Sequence, residues 1–324
     1  MHYDPNAIFT AKDIRRAGRL NKLLKWVPRY RTSGRFNARF INGMCSVGRH
    51  LAAEPANIGV MVKSLSVNGG KLPIRVLFPE KPRALLLHFH GGAWVIGDSK
   101  LDDNWNVEYV RRCRVAVASA NFHLATDDDL AQTIRDAHAF TRWALDSRAN
   151  FGVDKVFLEG ESSGAHLAAS SLVRLSRSRS LECIAGLVSY CGAFDLSGPA
   201  SLKLAADSLV IDPQAAGRNL DRLLEGSPSL AVDDPVVSPL RADLIGMPPG
   251  LFIAGQLDPI IGDSRSMQTR WQDVCGNADL LVVPEGPHGF HRFPTRLAAR
   301  TKTVAVEWIN RRLRNEVQEA SFNA

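Results

Sequence analysis

The chain of 324 residues is predicted to form an α/β fold, in which helices flank a mostly parallel β-sheet. Short apolar runs typical of buried strands alternate with segments of helical apolar spacing from about residue 74 to residue 315. With 45% hydrophobic residues, the chain can also bury a large core. One domain of roughly 270 residues with a lid fits this pattern better than the two domains suggested by length alone.

A glycine-flanked serine follows one of the predicted strands. Residues 160–164 read Gly-Glu-Ser-Ser-Gly and lie between an apolar strand at 156–158 and an apolar helix. A serine on such a sharp turn projects its hydroxyl from the end of the sheet, where the N-terminus of the next helix also points. The motif alone is moderately specific, because chance produces it roughly 0.1 times in such a chain. An ordinary glycine-rich turn is the alternative.

A second glycine motif follows the predicted strand at 84–89, where residues 90–94 read His-Gly-Gly-Ala-Trp. Acyl transfer from serine passes through an oxyanion that needs preorganised N–H donors. Consecutive glycines leave such groups accessible. We therefore expect an oxyanion hole at the N–H groups of Gly91, Gly92 and Ser163, with a flexible turn as the alternative.

An acid and a base follow two further apolar strands. Asp258 comes after the run at 251–254, and His288 comes after the run at 279–283. Serine needs a base, and the imidazole needs a carboxylate that fixes its tautomer. The chain order Ser162, Asp258, His288 is that of an α/β hydrolase, and all three would meet at the carboxyl edge of one sheet. Taken alone, Asp258 could equally be a turn residue before proline, and His288 could equally belong to a surface loop.

Other side chains near these motifs have competing interpretations. His291 is the remaining alternative to His288 as the base, whereas His166 is expected to pack or to donate a hydrogen bond. Glu161 is expected to orient the serine turn rather than to transfer protons. Trp94 either lines an acyl pocket or belongs to the core, and we include it among the candidate substrate-binding residues.

Taken together, these motifs resemble the hormone-sensitive-lipase-like esterases, the bacterial family IV carboxylesterases of the α/β-hydrolase superfamily. The resemblance covers roughly residues 70–310 and rests on residues 90–93, residues 160–164, Ser238-Pro239-Leu240, Gly255 with Asp258-Pro259, and His288-Gly289-Phe290. It implies an α/β-hydrolase fold with a helical cap, no metal and no other cofactor. The roles that it implies are nucleophile for Ser162, acid for Asp258, base for His288, and oxyanion donors at Gly91, Gly92 and Ser163.

The chain departs from the family pattern in three places. Ala93 replaces the third glycine, and Ser163 stands where the family often has alanine. Residues 121–126 replace the family's Tyr-Arg-Leu-Ala-Pro-Glu segment, which affects a local loop more than the chemistry.

The function expected from the resemblance is that of a serine carboxylesterase acting on short-chain esters through an acyl-enzyme. The alternatives are an amidase or deacetylase with the same triad, and a non-catalytic small-molecule receptor on the same fold. The expected partner is a small-molecule ester substrate, with a homodimer as one option. Neither nucleic acid nor stable membrane insertion is expected.

The N-terminal segment of the chain is strongly basic. Residues 1–50 contain eleven Lys and Arg against two Asp, a net charge of +9, while the whole chain carries +7. One interpretation is an amphipathic helix that lies on acidic lipid or nucleic acid. We favour a lid, in which residues 1–50 and an insertion at about 196–235 form a cap on a catalytic domain of residues 51–324.

The cysteines and the apolar runs indicate a location. Five cysteines are scattered without a C-x-x-C pair, which favours reduced thiols in the cytoplasm. The N-terminus has no apolar stretch typical of export signals, and no run reaches the ~18 apolar residues of a membrane span.

Overall fold

The computed structural model of the chain describes residues 2–27, 29, 34–67, 70–178, 180–198 and 208–322, with side chains described up to Arg314. An eight-stranded sheet crosses the molecule in the order β1-β2-β4-β3-β5-β6-β7-β8. The strand β2 is antiparallel to β1 and β4, and every other neighbouring pair is parallel. The strands are β1 Gly59–Val67, β2 Gly70–Phe78, β3 Leu85–Phe89, β4 Ala116–Ala120, β5 Val156–Glu161, β6 Ile184–Tyr190, β7 Gly250–Gly255 and β8 Ala278–Val283.

Helices cover both faces of this sheet. They are α1 Pro5–Ile8, α2 Ala11–Leu24, α3 Arg35–Leu51, α4 Asp103–Cys113, α5 Leu130–Ser147, α6 Ser163–Ser176, α7 Pro213–Glu225, α8 Ile261–Cys275 and α9 Arg296–Phe322. Short 3₁₀ turns occur at Ser99–Asp102, Arg148–Phe151, Pro239–Arg241 and Phe290–Arg292. The predicted fold class, a mostly parallel sheet flanked by helices, is therefore confirmed.

Two apolar cores separate the sheet from its helices. Along β3, Leu85 and Leu87 belong to the core beneath α5, α6 and α8, while Leu86 belongs to the core beneath α4 and α9. Successive side chains of a strand point to opposite faces, so a strand covered on both sides is apolar throughout. This explains why the central strands appear in the sequence as unbroken apolar runs.

In the sequence, Thr126 followed by three aspartates predicts a helix capped by Thr126, with Leu130, Ile134, Ala137 and Ala144 on one face. The observed start of α5 differs from this prediction. The helix begins at Leu130, and the side chain of Asp129 accepts a hydrogen bond from the Gln132 N–H at 2.8 Å. Aspartate caps a helix when it directly precedes the first helical residue, and Thr126 lies too far upstream. The predicted apolar face of the helix is buried as expected at Leu130, Ile134, Ala137 and Ala144.

The first two helices lie along the last strand and the last helix. The Tyr3 N–H donates to the Leu280 carbonyl at 2.9 Å, and Arg300 pairs with the buried Asp13 at 3.0 Å. At the far end of α2, the Asn21 side chain donates to the Glu285 carbonyl at 2.8 Å. Because Glu285 follows β8, α2 ends at the carboxyl edge of the sheet.

The helices α3 and α7 lie above that same edge. Asn42 of α3 donates to the Val95 carbonyl at 2.7 Å, and Asn219 of α7 donates to the Ala93 carbonyl at 3.2 Å. The helix α7 lies in the insertion expected at about 196–235, of which residues 199–207 are outside the described residues. The division of the chain into a cap and a catalytic domain is taken up below as a proposal.

Among the helices that the structure describes, none combines the length and the apolar character needed to cross a lipid bilayer. All five cysteines lie within the described residues, and each of them is free.

Candidate active site

Ser162 occupies a strained turn at the end of β5. Its φ of 53° and ψ of −117° are sparsely populated for a residue with a side chain. The turn holds because the chain approaches itself closely there: a Cβ at Gly164 would lie 1.9 Å from the Phe89 carbonyl oxygen, and one at Gly160 would lie 2.5 Å from Gly164. Packing therefore requires glycine at both positions. The turn at residues 160–164, called the elbow below, packs against the end of β3.

The structure brings Ser162, His288 and Asp258 together in one hydrogen-bonded chain. The Nε2 atom of His288 lies 2.9 Å from the Ser162 hydroxyl oxygen. Its Nδ1 atom lies 3.0 Å from each carboxylate oxygen of Asp258. With the Nδ1 proton donated to the carboxylate, Nε2 has a lone pair that can accept the serine proton.

The environment of His288 favours its protonated form. Burial lowers the pKa of His288, but the charge and the hydrogen bonds of Asp258 outweigh burial and raise it above the ordinary 6.5. Asp258 is itself fixed by its loop, because it accepts a hydrogen bond from the Ile260 N–H at 3.0 Å. An imidazole in this setting is a stronger base than a free one.

Cys191, Asp258 and His288 place potential metal-ligand atoms within 4.8 Å of one another. Burial raises the pKa of the Cys191 thiol well above its ordinary value, so the group is a thiol rather than a thiolate. Both ring nitrogens of His288 already have hydrogen-bond partners. This donor set does not fit a metal ion.

The glycine loop after β3 borders the serine. Gly92 has a φ of +123°, and a Cβ there would lie 2.0 Å from the Ile96 carbonyl oxygen. Within the described residues, the N–H groups of Gly91 and Gly92 have no hydrogen-bond acceptor. The Ser163 N–H begins α6 and has no partner within that helix. Three donors are thus available beside the hydroxyl.

A cavity of about 420 Å³ opens above these groups. Residues 196–235 and the loop before α8 contribute much of its apolar lining, with Leu196, Val210, Ile211, Ala216, Leu220 and Ile260. The polar lining includes Asp98, Asp102, Glu161 and Arg292, and Cys45 of α3 also borders the cavity. The cavity therefore offers both apolar and charged groups to a bound molecule.

Trp94 lines this cavity, although it is only 7% exposed. Its indole N–H donates to Nδ1 of His166 at 3.2 Å, and His166 in turn donates from Nε2 to the Val237 carbonyl at 2.8 Å. Burial lowers the pKa of His166 to about 4, so this ring is neutral and its Nδ1 can accept a hydrogen bond from the indole N–H. The ring of His166 therefore fixes the tryptophan, and its two nitrogens bond Trp94 and Val237 rather than the Ser162 hydroxyl.

Glu161 anchors the elbow to the loop that carries His288. Its Oε2 atom accepts from Nε of Arg292 at 2.5 Å and lies 3.0 Å from Nε2 of His291. Burial favours its protonated form, but Arg292 and His291 outweigh burial and lower the pKa of Glu161 well below its ordinary range. His291 therefore pairs with Glu161, whereas His288 contacts the serine.

The polar contacts continue beneath the site in a network that sequence analysis missed. Arg292 also donates to the two oxygens of Asp102 at 2.6 and 3.1 Å, and Asp102 lies 2.8 Å from Nε2 of His88. The other nitrogen of His88 contacts Glu159. Burial lowers the pKa of His88, but Glu159 and Asp102 outweigh it and raise it to about 9. No motif marks these residues, and only the position of Glu161 beside Ser162 hints at them.

A sheet of this order, with a strained serine at the end of its central strand, is the architecture of the α/β hydrolases. The sequence profile of a family described as having the alpha/beta hydrolase fold matches residues 86–292, more than half of the chain. The chain belongs to this family.

Named relatives that match the sequence are esterases. Esterase LipI of Mycobacterium tuberculosis is 27% identical over 226 residues, covering 66% of this chain and 70% of the relative. An arylesterase of Saccharolobus solfataricus is 26% identical, covering 59% and 63%, and carboxylesterase NlhH of M. tuberculosis is 25% identical, covering 68% and 72%. The matches thus span roughly two thirds of these relatives, and they support carboxylic ester hydrolysis as the chemistry.

Solved structures show the same fold at lower identity. A bacterial heroin esterase superposes with a TM-score of 0.80 at 21% identity, covering 92% of this chain and 98% of that one. An esterase from the bacterial hormone-sensitive lipase family gives 0.74 at 21% identity, covering 94% and 99%. The resemblance to hormone-sensitive-lipase-like esterases that the motifs indicate is confirmed.

Proposed function

We propose that this chain is a serine carboxylesterase in which Ser162 is the nucleophile, His288 the base and Asp258 the acid that holds the base. The observation that carries the proposal is the hydrogen-bonded chain from the serine hydroxyl through the imidazole to the carboxylate, with distances of 2.9 and 3.0 Å. Both distances lie in the range needed for proton transfer, so the three side chains need no rearrangement before the reaction begins.

The proposed reaction proceeds in two halves. Ser162 attacks the ester carbonyl carbon while His288 takes the hydroxyl proton through Nε2, and the imidazolium is stabilised by Asp258. The same proton passes to the leaving alcohol, which departs and leaves an acyl-enzyme on the serine oxygen. A water molecule, deprotonated by His288, then attacks the acyl carbon and releases the carboxylic acid.

We assign the oxyanion hole to the N–H groups of Gly91, Gly92 and Ser163. Their lack of other acceptors and their position beside the serine support this role. Each such donor contributes about 3–4 kcal/mol to the stability of the transition state in related chemistry.

We further propose that residues 1–50 and the insertion at about 196–235 form a cap over this site. Cys45 of the first segment and Leu220 of the second both line the cavity, which supports the division. The cavity of about 420 Å³ and its apolar lining residues favour short acyl chains, with Trp94 as part of the substrate-binding surface.

The test is hydrolysis of p-nitrophenyl esters of increasing chain length, together with one p-nitroanilide. We expect turnover of the acetate or butyrate, and Ser162→Ala should lower kcat by at least roughly 10³-fold. A serine-directed phosphonate should add at Ser162 alone. Faster turnover of the anilide would instead favour an amidase, and a wild-type protein that binds esters without turnover would favour a receptor.

A further inference from the structure

The helix α3 turns its apolar face away from the protein. Five large apolar side chains recur along it at spacings of three or four residues, and at about 100° per residue they form one stripe. Each of them is between 60% and 81% exposed, and they are Phe36, Phe40, Met44, Val47 and Leu51.

The opposite side of α3 is mainly small or polar, and this side attaches the helix, together with Ile41, which packs against the core. Ala38 is buried, Asn42 donates to the Val95 carbonyl at 2.7 Å, and Arg49 pairs with Asp98 at 3.1 Å. An ordinary surface helix buries its apolar stripe and exposes its polar one. Because these contacts fix the orientation of α3, the stripe remains outward, as is typical of an interaction surface.

A second exposed apolar cluster lies at the end of α2. Leu23, Trp26 and Val27 are 67%, 89% and 53% exposed. Asn21 holds this end of α2 at Glu285, which follows β8, and Asn42 holds α3 at the loop that follows β3. Both clusters therefore lie at the carboxyl edge of the sheet, the edge at which the cavity lies.

The charge of the N-terminal segment indicates which kind of partner binds to these two clusters. Residues 1–50 carry a net charge of +9, so a second copy docked through the same face would meet strong like-charge repulsion. Nucleic acid would match the charge, but phosphates would leave the aromatic and aliphatic stripe uncovered. An anionic lipid surface satisfies both features. The exposed cations of the segment include Lys12, Arg15, Arg16, Arg19, Lys22, Lys25 and Arg39.

We propose that α3 and the end of α2 form a docking face for membranes that contain anionic lipids. The apolar stripe enters the boundary between headgroups and acyl chains, while the basic side chains contact the headgroups, and none of the described helices crosses the bilayer. Docking in this way would direct the cavity towards the lipid surface. The inference goes beyond the proposed esterase activity and departs from the expectation that the basic segment serves only as a lid.

Vesicle flotation with the full-length chain tests the proposal. The variant Phe40→Ser/Met44→Ser removes two side chains of the stripe without changing the charge, and Ile245→Ser is the matched control because Ile245 is 72% exposed outside both clusters. On phosphatidylcholine–phosphatidylglycerol vesicles, we expect the double variant to partition at least roughly tenfold more weakly than wild type. The control should bind normally, and about 0.5 M salt should weaken wild-type binding.

Four results would each overturn the proposal: wild type that does not float, a double variant that binds as wild type does, equal binding to pure phosphatidylcholine vesicles, or binding of DNA in place of vesicles. A dimer in sedimentation that the double variant splits would assign the face to self-association instead. Melting curves verify that the variants are folded. Ser162→Ala should float like wild type, so failure of the esterase assignment would not alter this result.

Discussion

The prediction that depends most directly on the geometry concerns Arg292, which joins two buried carboxylates under the site. It donates to Asp102 at 2.6 and 3.1 Å and to Glu161 at 2.5 Å. The side chains of Asp102 and Glu161 are only 3% and 11% exposed, so neither carboxylate has water as an adequate substitute partner. Arg292→Met should leave Asp102 with His88 and Glu161 with His291 as remaining partners, so each carboxylate loses part of its charge compensation.

The size of the effect follows from burial. Removing one partner of a buried ion pair typically costs about 3–5 kcal/mol. The Arg292 side chain is itself 44% exposed, so solvent already screens part of the interaction. We therefore expect Arg292→Met to lower the free energy of unfolding by about 2–3 kcal/mol and Tm by about 4–8 °C. Arg292→Lys keeps the charge but loses the planar arrangement of donors, so its free energy of unfolding should lie between those of wild type and Arg292→Met.

The assay is thermal and urea denaturation, with Arg177→Met as the matched control. Arg177 pairs with Asp234 at 3.1 Å, but both side chains are exposed by more than 40%, and such surface pairs contribute about 0–1 kcal/mol. If Arg292→Met is no more destabilising than Arg177→Met, the buried network does not stabilise the fold as argued.

The dependence of this effect on pH provides a second check. Arg292 contributes to lowering the pKa of Asp102 and of Glu161 in the folded state. A carboxylate whose pKa is lower in the folded than in the unfolded state stabilises the fold at pH values above its unfolded pKa. That stabilisation is lost as the pH falls through the pKa of the folded state. The stability gap between wild type and Arg292→Met should therefore narrow from pH 7 down to about pH 3. A constant gap would mean that lost packing, not lost charge pairing, causes the destabilisation.

The remaining predictions concern the site itself. His288→Ala should abolish ester turnover and His291→Ala should retain most of it, because only the first ring contacts the serine hydroxyl; the reverse outcome would exchange their roles. In wild type, kcat/KM should rise with pH through an apparent pKa above 6.5, and a profile that falls over this range would exclude a neutral imidazole as the base. Gly164→Ala should destabilise by about 1–3 kcal/mol or more through its clash with the Phe89 carbonyl, whereas Gly217→Ala, which meets nothing within 4 Å, should not destabilise in urea.

The sequence predicts the fold and the positions of the candidate site because local patterns encode both. Ser162, Asp258 and His288 each follow an apolar run, and the ends of parallel strands necessarily meet at one edge. Packing also forces the glycines at 160 and 164, so their motif is readable without a structure. No feature of the described structure tests the cytoplasmic location, which stays a prediction.

What the sequence conceals is how distant segments face one another. Arg292 and Asp102 stand in no motif, and their pairing depends on two loops that only the folded sheet brings together. The apolar spacing of α3 resembles that of any core-facing helix, and nothing in Phe36 or Phe40 indicates that the stripe points outward. The contacts of Asn42 and Arg49 with the loop after β3, and of Arg35 with Asp128, orient this helix in the folded protein.

The buried imidazolium of His88 limits the stability of the fold at alkaline pH. Glu159 and Asp102 raise its folded pKa to about 9, so the stability that it contributes is complete below the ordinary value of 6.5 and is lost as the pH rises through about 9. The base at the serine becomes more active over part of the same range, as it loses its own proton. Two histidines would thus set the two ends of the working pH range: His288 determines the pH at which turnover begins, and His88 the pH at which the fold beneath the site weakens.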